Sequence, residues 1–443
     1  MELAKTYIDK YGKLIDKIDP IKVNGKVTDV IGLVIISVGP NVSLGEVCII
    51  VDKNGKIVCK AEVVGFKDGK VLSIALGEVE NISPSCEIKS FGKQFGIPLS
   101  ENLLGRVIDG LGNPIDGKGE IVSQSYRNVY REPPNPLDRA RIESPLQTGV
   151  RSIDGLLTCG KGQRVGIFAG SGVGKSVMLG MIARNTNADI NVIVLVGERG
   201  REVREFIEKD LGEEGLKRSV VVVATSDKPA LMRIKAAFIG TTIAEYFRDL
   251  GKDVVLMMDS VTRFALAQRE IGLTIGEPPT TKGYTPSVFA ILPKLLERAG
   301  TSIKGSITGF YTVLVDGDDM SEPIADAVRS ILDGHIVLSR KIANKGQFPA
   351  IDPLQSVSRV MPDIVSEDHR LRAMEFNEIL QTYNEAEDLV NIGAYVKGSN
   401  PQVDHALSNI GALRNFLKQD MKEKATLKDS ISKLKSIINM PLA

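Results

Sequence analysis

The sequence predicts a multidomain protein in which a small β-barrel or sandwich precedes an α/β domain with a mostly parallel sheet and a helix-rich C-terminal part. Residues 20–92 alternate short β-type segments with turns such as Asn54-Gly55, which favours a small all-β domain. From about residue 164, apolar strands alternate with helical patterns, as in a parallel sheet covered by helices. From about residue 368 the pattern is mainly helical.

Composition sets broad limits on the class of protein. The chain has 443 residues, and at roughly 150 residues per domain this length predicts two to four domains. The 56 basic and 55 acidic side chains leave a net charge of +1, so no global field attracts nucleic acid or anionic lipid. The four cysteines lack metal-ligand spacing, which favours a reducing, cytoplasmic location. No apolar run is long enough to span a bilayer, so we expect membrane contact only through partners.

The N-terminal part of the chain divides into two predicted segments. Residues 1–19 carry apolar side chains at helical spacing over Tyr7–Ile18 and predict a helical segment. An all-β domain is then expected over 20–92. Its predicted segments are Lys22–Ile36, Val47–Val51, Lys56–Val64 and Val71–Ala75. The turn-rich stretch Leu104–Gly117 and the proline-rich connector Glu132–Pro136 indicate a boundary region.

The α/β domain is expected over 93–367 and the helical domain over 368–443. The predicted strands of the α/β domain are Arg164–Ala169, Ile190–Val196, Val220–Ala224, Val254–Asp259 and Ser306–Val315. A helix is predicted over Ala230–Leu250. In a parallel sheet the carboxyl ends of the strands share one edge, which is where ligands bind. The chain ends in an amphipathic, lysine-rich segment, Arg414–Ile438.

A glycine-rich stretch follows the first of these strands and closes on Gly-Lys-Ser. The predicted nucleotide-binding residues are Ala169, Gly170, Ser171, Gly172, Val173, Gly174, Lys175, Ser176 and Val177. Glycines let successive backbone N–H groups converge on phosphate oxygens, while Lys175 reaches the outer phosphates and the Ser176 hydroxyl binds Mg²⁺. Ala169 stands where the usual pattern has glycine, but the flanking strand and helix supply the expected context. The alternative is a glycine-rich turn in an ordinary βα unit.

Two acidic side chains at predicted strand ends add to this candidate site. Asp259 ends an apolar strand, where a carboxylate ligand for Mg²⁺ opposite Ser176 is expected. A compatible alternative is that Asp259 caps the next helix, before Ser260. Glu198 follows another apolar strand and is predicted to orient and polarise an attacking water. Its alternative is a solvated loop charge paired with Arg199 or Arg201.

Four motifs, in this order along the chain, resemble those of one family. They are Ala169–Ser176, Val196–Val203, Gly276–Phe289 and Phe348–Arg359. Together they resemble the rotary ATPase catalytic subunits and their secretion relatives, and the third is most similar to type III export ATPases, above all the flagellar branch. The resemblance covers essentially the whole chain. It implies a β-barrel N-terminal domain, a RecA-like P-loop ATPase core and a helical C-terminal domain, assembled as a homohexameric ring with nucleotide between subunits.

The resemblance also implies roles for single residues. Glu198 matches the family's catalytic glutamate and Lys175 its phosphate-loop lysine. Arg359 matches the arginine finger that reaches into the neighbouring subunit's site. We assign Arg199, which follows Glu198 in the same motif, to the catalytic residues as well.

Other matched positions keep an alternative. Phe348 matches an aromatic that stacks on adenine, with a core phenylalanine as the alternative. Arg263 is expected near the γ-phosphate, with a structural ion pair as the alternative. The loop Gly276–Tyr284 resembles one that lines the central pore, or is a rigid connector. The apolar face of Tyr7–Ile18 is expected to dock a stator-like regulator or to pack on its own barrel.

The implied activity is Mg²⁺-dependent ATP hydrolysis that energises flagellar type III protein export. The implied partners are further copies of the chain, the stator-like regulator, a central-stalk coiled-coil protein, export chaperones and export substrates, with an indirect link to the export gate at the membrane. The implied location is cytoplasmic, peripheral at the export apparatus. The C-terminal helices lack the acidic run through which a rotary β subunit contacts its rotor shaft, which argues against ATP synthesis.

Three other functions remain as alternatives. An injectisome ATPase would share the whole mechanism. A hexameric nucleic-acid motor needs stacking aromatics and a basic stripe on its barrel, whereas residues 20–92 offer only Phe66 and Phe91 as aromatics, so we expect no nucleic-acid partner. A non-catalytic ring subunit would have little use for the Glu198 carboxylate.

Overall fold

The computed structural model describes residues 23–77, 82–123, 125–315 and 319–438. The chain divides into two compact units, the first ending at Phe95 and the second beginning at Gly96. The helical segment expected over 1–19, with its apolar face Tyr7–Ile18, lies outside the described residues. Within the described ranges no helix is long and apolar enough to cross a membrane. All four cysteines are free thiols.

The first unit contains a closed β-barrel. Its strands are β1 (Gly25–Ile31), β2 (Val34–Val38), β3 (Glu46–Val51), β4 (Ile57–Lys67), β5 (Lys70–Ala75) and β6 (Glu87–Gln94). They close in the order β1-β2-β5-β4-β3-β6 around buried side chains such as Ile35, Ile50 and Ile88. The segment predicted over Lys22–Ile36 is two strands, because a turn at Gly32, with φ +58°, reverses the chain between β1 and β2.

The second unit is an α/β structure with a C-terminal set of helices. Its strands are β7 (Gly96–Leu99), β8 (Val107–Asp109), β9 (Ser125–Asn128), β10 (Pro145–Leu146), β11 (Cys159–Gly160), β12 (Arg164–Ala169), β13 (Ile190–Val196), β14 (Ser219–Ala224), β15 (Asp253–Asp259), β16 (Gly300–Thr301), β17 (Ser306–Leu314), β18 (Gly334–Leu338) and β19 (Ile351–Ser358). The strand predictions for β12 to β15 and β17 are confirmed to within one residue at either end.

Helices cover the sheet and form the C-terminal part. The α-helices of the described residues are α1 (Arg151–Leu156), α2 (Lys175–Asn185), α3 (Gly200–Glu205), α4 (Gly212–Lys217), α5 (Ala230–Asp249), α6 (Val261–Thr274), α7 (Pro286–Leu296), α8 (Pro323–Ile331), α9 (Arg340–Asn344), α10 (Met361–Ile364), α11 (Glu367–Asn391), α12 (Pro401–Leu417) and α13 (Leu427–Ile438). A π-helical turn, Phe206–Leu211, joins α3 to α4. The helix predicted over Ala230–Leu250 is α5.

The main sheet has the strand order β19-β18-β12-β17-β15-β13-β14-β8, with β16 paired beside β17. All neighbours from β18 to β8 are parallel, and β19 runs antiparallel to β18. Every residue of β13 and β14 is buried, as expected for strands covered by helices on both faces. The carboxyl ends of the central strands therefore lie at one edge, as the sequence predicts.

Two segments differ from the sequence-based expectation. The turn-rich boundary Leu104–Gly117 contains β8, which extends the main sheet by pairing with β14. The C-terminal segment Arg414–Ile438 is divided between α12 and α13. The division has a physical cause, because the Arg151 guanidinium donates hydrogen bonds to the carbonyl groups of Asn415, Phe416 and Lys418 and so satisfies the end of α12.

Candidate active site

The glycine-rich loop lies between the carboxyl end of β12 and the start of α2. Gly172 and Gly174 have φ values of +78° and +88°, a conformation that side chains with a Cβ rarely adopt. The loop is held by the buried Val173, while Ser171 and Ser176 are exposed. Its backbone N–H groups and the N-terminus of α2 together suit an anion. Ala169 and Gly170 are buried behind the loop, and Val177 is partly buried against the core.

Lys175 lies between two carboxylates that come from neighbouring strand ends. Its Nζ is 2.5 Å from Oδ1 of Asp259 and 3.8 Å from Oε1 of Glu198. The three side chains are 12%, 4% and 12% exposed, in the order Lys175, Asp259 and Glu198. Two carboxylates are thus held beside one ammonium group in a nearly dry cleft, where charge interactions are strong and each group affects the protonation of the others.

Arg263 holds the turn that carries Glu198. It lies in the first turn of α6, where the Ser260 side chain accepts a hydrogen bond from its backbone N–H. The Arg263 guanidinium donates a hydrogen bond to the Gly197 carbonyl, and its Nε is 3.5 Å from Glu198 Oε1. Gly197 has φ +72°, and a Cβ there would collide with the Arg263 side chain. Arg263 therefore contacts the turn that carries Glu198. Its position agrees with the alternative of a structural ion pair that the sequence left open for this residue.

The Glu198 carboxyl group has an unusual environment. Its pKa is raised to about 7, because burial and the nearby Asp259 charge raise it more than the Lys175 and Arg263 charges lower it. A hydrogen bond to the Glu202 carboxylate also favours the protonated form of Glu198, and it lowers the pKa of Glu202. Glu198 Oε1 is buried and accepts no hydrogen bond from the described residues. A base with a pKa near neutrality and an unused acceptor suits the activation of a water molecule.

The pH dependence of hydrolysis follows from this pKa. Below about pH 7 a protonated Glu198 cannot accept a proton, so we expect kcat/KM for ATP to fall about tenfold from pH 8 to pH 6. Glu202→Gln replaces the carboxylate with an amide that donates to Glu198, which should shift the fall to lower pH. Steady-state rates over this pH range check both expectations. Identical profiles for the two proteins would contradict the assigned link.

The remaining predicted nucleotide contacts lie around the loop. The Phe348 ring is 48% exposed, and its edge lies 3.5 Å from the position that a Cβ on Gly174 would take. The Phe348 carbonyl accepts a hydrogen bond from the Gln419 backbone. Arg199 is 78% exposed and pairs with Glu202 at 3.3 Å, so in this structure it faces solvent beside the site.

Arg359 lies at the opposite end of the strands from the phosphate loop, where the parallel strands begin. Because β19 is antiparallel to β18, Ile351 pairs with Leu338 at the carboxyl edge, and Ser358 pairs with Gly334 at the amino edge. The Arg359 backbone then bonds to Asp333, and its guanidinium donates to the Leu332 carbonyl at 3.3 Å. At about 3.3 Å per residue the strands separate Arg359 from its own phosphate loop by about 20 Å.

Three site residues were missed by sequence reasoning. Glu202 bonds to Glu198, the Arg340 guanidinium donates to the Ser171 carbonyl at 3.3 Å, and the Thr312 hydroxyl donates to Asp259 Oδ1 at 2.8 Å. Arg340 follows the end of β18, so a sequence prediction of that strand would have placed it at the carboxyl edge. Thr312 lies inside an apolar strand, where no sequence pattern marks it.

The donor set fits magnesium bound together with a nucleotide. A carboxylate oxygen of Asp259 and the exposed Ser176 hydroxyl are hard oxygen ligands of the kind that Mg²⁺ prefers. No group of three or more His, Cys, Asp or Glu side chains that could hold a metal occurs in the described part of the chain. Mg²⁺ at nucleotide sites needs only one or two such ligands, because phosphates and water complete its shell.

Comparison with known families accounts for most of the chain. The beta-barrel domain of the ATP synthase alpha/beta family matches residues 27–92, and the nucleotide-binding domain of that family matches residues 149–358. The T3SS EscN ATPase C-terminal domain matches residues 365–436. With the phosphate loop and the sheet described above, these matches define a RecA-like nucleotide-binding protein. The chain belongs to the ATP synthase alpha/beta family.

Individual relatives narrow the position of the chain within that family. The chain is 58% identical over 425 residues to the flagellum-specific ATP synthase of Bacillus subtilis (strain 168), and this alignment covers 96% of this chain and 97% of the relative. The structure of the assembled ATPase EscN from the enteropathogenic E. coli type III secretion system has 46% identity and a TM-score of 0.89, over 94% of this chain and 100% of that one. EscN in complex with its central stalk EscO matches with the same identity and coverage and a TM-score of 0.87. The chain is thus a member of the flagellar and type III secretion branch.

Proposed function

We propose that this protein hydrolyses MgATP at sites shared between neighbouring copies in a homohexameric ring, and that the ring energises flagellar type III protein export. The observation that carries this proposal is the separation of the catalytic groups. Lys175, Asp259 and Glu198 meet at one edge of the sheet, whereas Arg359 lies at the opposite edge. One chain therefore offers two half-sites, and a ring of identical chains joins each half to its complement.

The residues at the carboxyl edge fit the steps of phosphoryl transfer to water. The loop N–H groups and Lys175 bind the β- and γ-phosphates, and Glu198 accepts a proton from the attacking water. Bound Mg²⁺, held by Ser176 and Asp259, would neutralise charge on the transferred phosphoryl group. Arg359 from the adjacent copy would stabilise the charge of the transition state.

Supporting contacts complete the proposed assignment of roles. We assign Phe348 to adenine stacking because its exposed ring borders the phosphate loop. Arg263 positions Glu198 through its bond to Gly197, and we propose that it also lies near the γ-phosphate. Arg199, exposed here, is proposed to act once a neighbouring copy covers it.

The family comparisons support the assembly and its partners. EscN assembles and binds a central stalk, and we propose a homohexamer and a coiled-coil stalk partner for this chain. A stator-like regulator, export chaperones, export substrates and an indirect link to the export gate complete the proposed set, at the cytoplasmic face of the export apparatus. The matched ranges also support the proposed domain boundaries 20–92, 93–367 and 368–443.

Several observations bear on the competing functions. We favour the flagellar system over the injectisome because a flagellar relative is 58% identical to this chain and a type 3 secretion system ATPase 52% identical. A nucleic-acid motor is disfavoured by family membership and by a net charge of +1. The buried, unsatisfied Glu198 oxygen favours a catalytic subunit over a regulatory one.

A shared site makes the specific ATPase activity depend on protein concentration. We expect the rate per chain to rise with concentration and to level off when the ring is assembled. A dilute single chain has no neighbour that could supply Arg359 to its site. The measurement is the steady-state ATPase rate over a wide concentration range, with the oligomeric state followed in parallel by light scattering. A constant rate per chain in a preparation that is monomeric throughout would mean that one chain holds a complete site.

A further inference from the structure

Thr312 occupies a special place in the main sheet. It lies in β17, which separates the phosphate-loop strand β12 from β15, the strand that ends in Asp259. Thr312 pairs with Ile167, while the preceding Tyr311 pairs with Met258, so Thr312 is level with Asp259. Its side chain is fully buried, as are those of Ile167 and Met258. An apolar side chain would fill this position equally well without the cost of burying a hydroxyl group. The hydroxyl group therefore indicates a polar role for Thr312.

The hydroxyl group of Thr312 has a specific partner. It donates to Asp259 Oδ1 at 2.8 Å, closer than the Met258 carbonyl at 3.3 Å. Lys175 Nζ approaches the same oxygen at 2.5 Å. Two donors therefore share Oδ1, and neither of these hydrogen bonds ends on Oδ2.

The two donors differ in mobility and in function. Lys175 begins α2 directly after the glycine-rich loop, and its ammonium group is proposed to move to the phosphates when nucleotide binds. Thr312 is fixed inside a central strand and stays where it is. Once Lys175 has turned to the phosphates, Thr312 is the donor that remains on Oδ1 among the described residues.

We propose that Thr312 is a positioning residue for Asp259. By holding Oδ1 against the sheet, it fixes the rotation of the carboxylate and leaves Oδ2 for the cation. This inference rests on the proposed function, since it takes MgATP as the ligand of the site. A hydrogen bond to a charged group has a stronger effect than one between neutral groups, so its loss weakens cation binding measurably.

The test uses two substitutions and a binding readout. Thr312→Val removes the hydroxyl group at nearly constant volume, and Thr312→Ser keeps the hydroxyl group. Fluorescence of a methylanthraniloyl ATP derivative reports nucleotide affinity in EDTA and during a Mg²⁺ titration. For Thr312→Val we expect unchanged affinity in EDTA and an increase of about tenfold in the Mg²⁺ concentration for half-maximal effect. Thr312→Ser should stay close to the unmodified protein.

A matched control lies on the same strand. Thr308 is also buried, but its hydroxyl group accepts from Gly162 N–H near the amino edge, away from Asp259. Thr308→Val should lower the unfolding temperature without moving the Mg²⁺ titration. If Thr312→Val does not fold, Thr312→Ala is the second hydroxyl-free variant.

Three results would overturn the proposal or its basis. Equal shifts for Thr312→Val and Thr312→Ser, or no shift for either, would remove the role of the hydroxyl group. Affinity lost equally with and without Mg²⁺ would indicate general damage to the site. If the nucleotide affinity of the unmodified protein does not change with Mg²⁺, the metal site of the proposed function would be overturned instead.

Discussion

Glu198→Gln should abolish almost all ATP hydrolysis while nucleotide still binds. The amide keeps the shape of the carboxyl group but cannot accept a proton from water, and loss of a positioned general base costs typically 10²–10⁴-fold in rate. Lys175 and Asp259 remain paired at 2.5 Å, so the phosphate site stays intact. Removal of one negative charge beside the γ-phosphate should leave ATP affinity equal or tighter. Single-turnover hydrolysis and equilibrium nucleotide binding measure the two effects separately.

Glu205→Gln is a matched control for this substitution. Glu205 ends the short helix α3, which follows the Glu198 turn, and its exposed carboxylate lies 3.9 Å from the Arg201 and Lys209 side chains. The same chemical change at this surface position should leave the rate within about twofold, as expected for a surface charge. A Glu198→Gln protein that keeps a tenth of the original rate would remove Glu198 from the role of general base. Loss of nucleotide binding would show that its role is structural.

The sequence predicts the core of this site because parallel topology leaves few choices. An apolar strand followed by a glycine-rich loop and a helix fixes the place of Lys175, and the carboxyl edge then gathers Asp259 and the Glu198 turn. The strands predicted for this edge agree with the structure to within one residue. Such inference works because every element involved is long, apolar and locally recognisable.

Other parts of the site depend on contacts that the local sequence does not encode. The bond from Thr312 to Asp259 requires the register of β17 against β15, which a pattern of apolar residues leaves free. The strand β8 has three residues in a turn-rich stretch and forms only because β14 offers it a partner. The turn of Arg263 toward the Gly197 carbonyl likewise depends on packing between two elements.

The antiparallel direction of β19 places Arg359 near the start of β18, away from its own phosphate loop. Removal of the Arg359 side chain is therefore the second substitution for which we expect a large loss of activity. Arg359→Ala should lower kcat about 10³–10⁵-fold, the effect of removing an arginine finger, with little loss of nucleotide affinity. Folding should tolerate the change, since the exposed side chain makes one hydrogen bond, to the Leu332 carbonyl. Arg359→Lys keeps the charge but loses the planar fork and should recover only part of the rate.

Arg329→Ala supplies the matched control for Arg359→Ala. Burial lowers the pKa of His335, and the positive charges of Arg329 and Arg359 lower it further, so the two arginines lie near the same histidine. Arg329 pairs with Asp326 within one exposed helix turn. Its removal takes a positive charge from the same region and should leave kcat within about twofold. Equal losses for both variants would indicate a general electrostatic effect.

Mixing two inactive variants tests directly whether the site is shared. Glu198→Gln chains supply an intact Arg359, and Arg359→Ala chains supply an intact Glu198, so a mixed ring contains some sites with both groups. Random assembly of equal amounts makes about a quarter of the sites complete when each site joins two neighbouring chains. We therefore expect activity to reappear on mixing, to at most that fraction if sites act independently, and to depend on exchange of chains between rings. Rings that demonstrably exchange chains but stay inactive would show that Arg359 does not act on the neighbouring site.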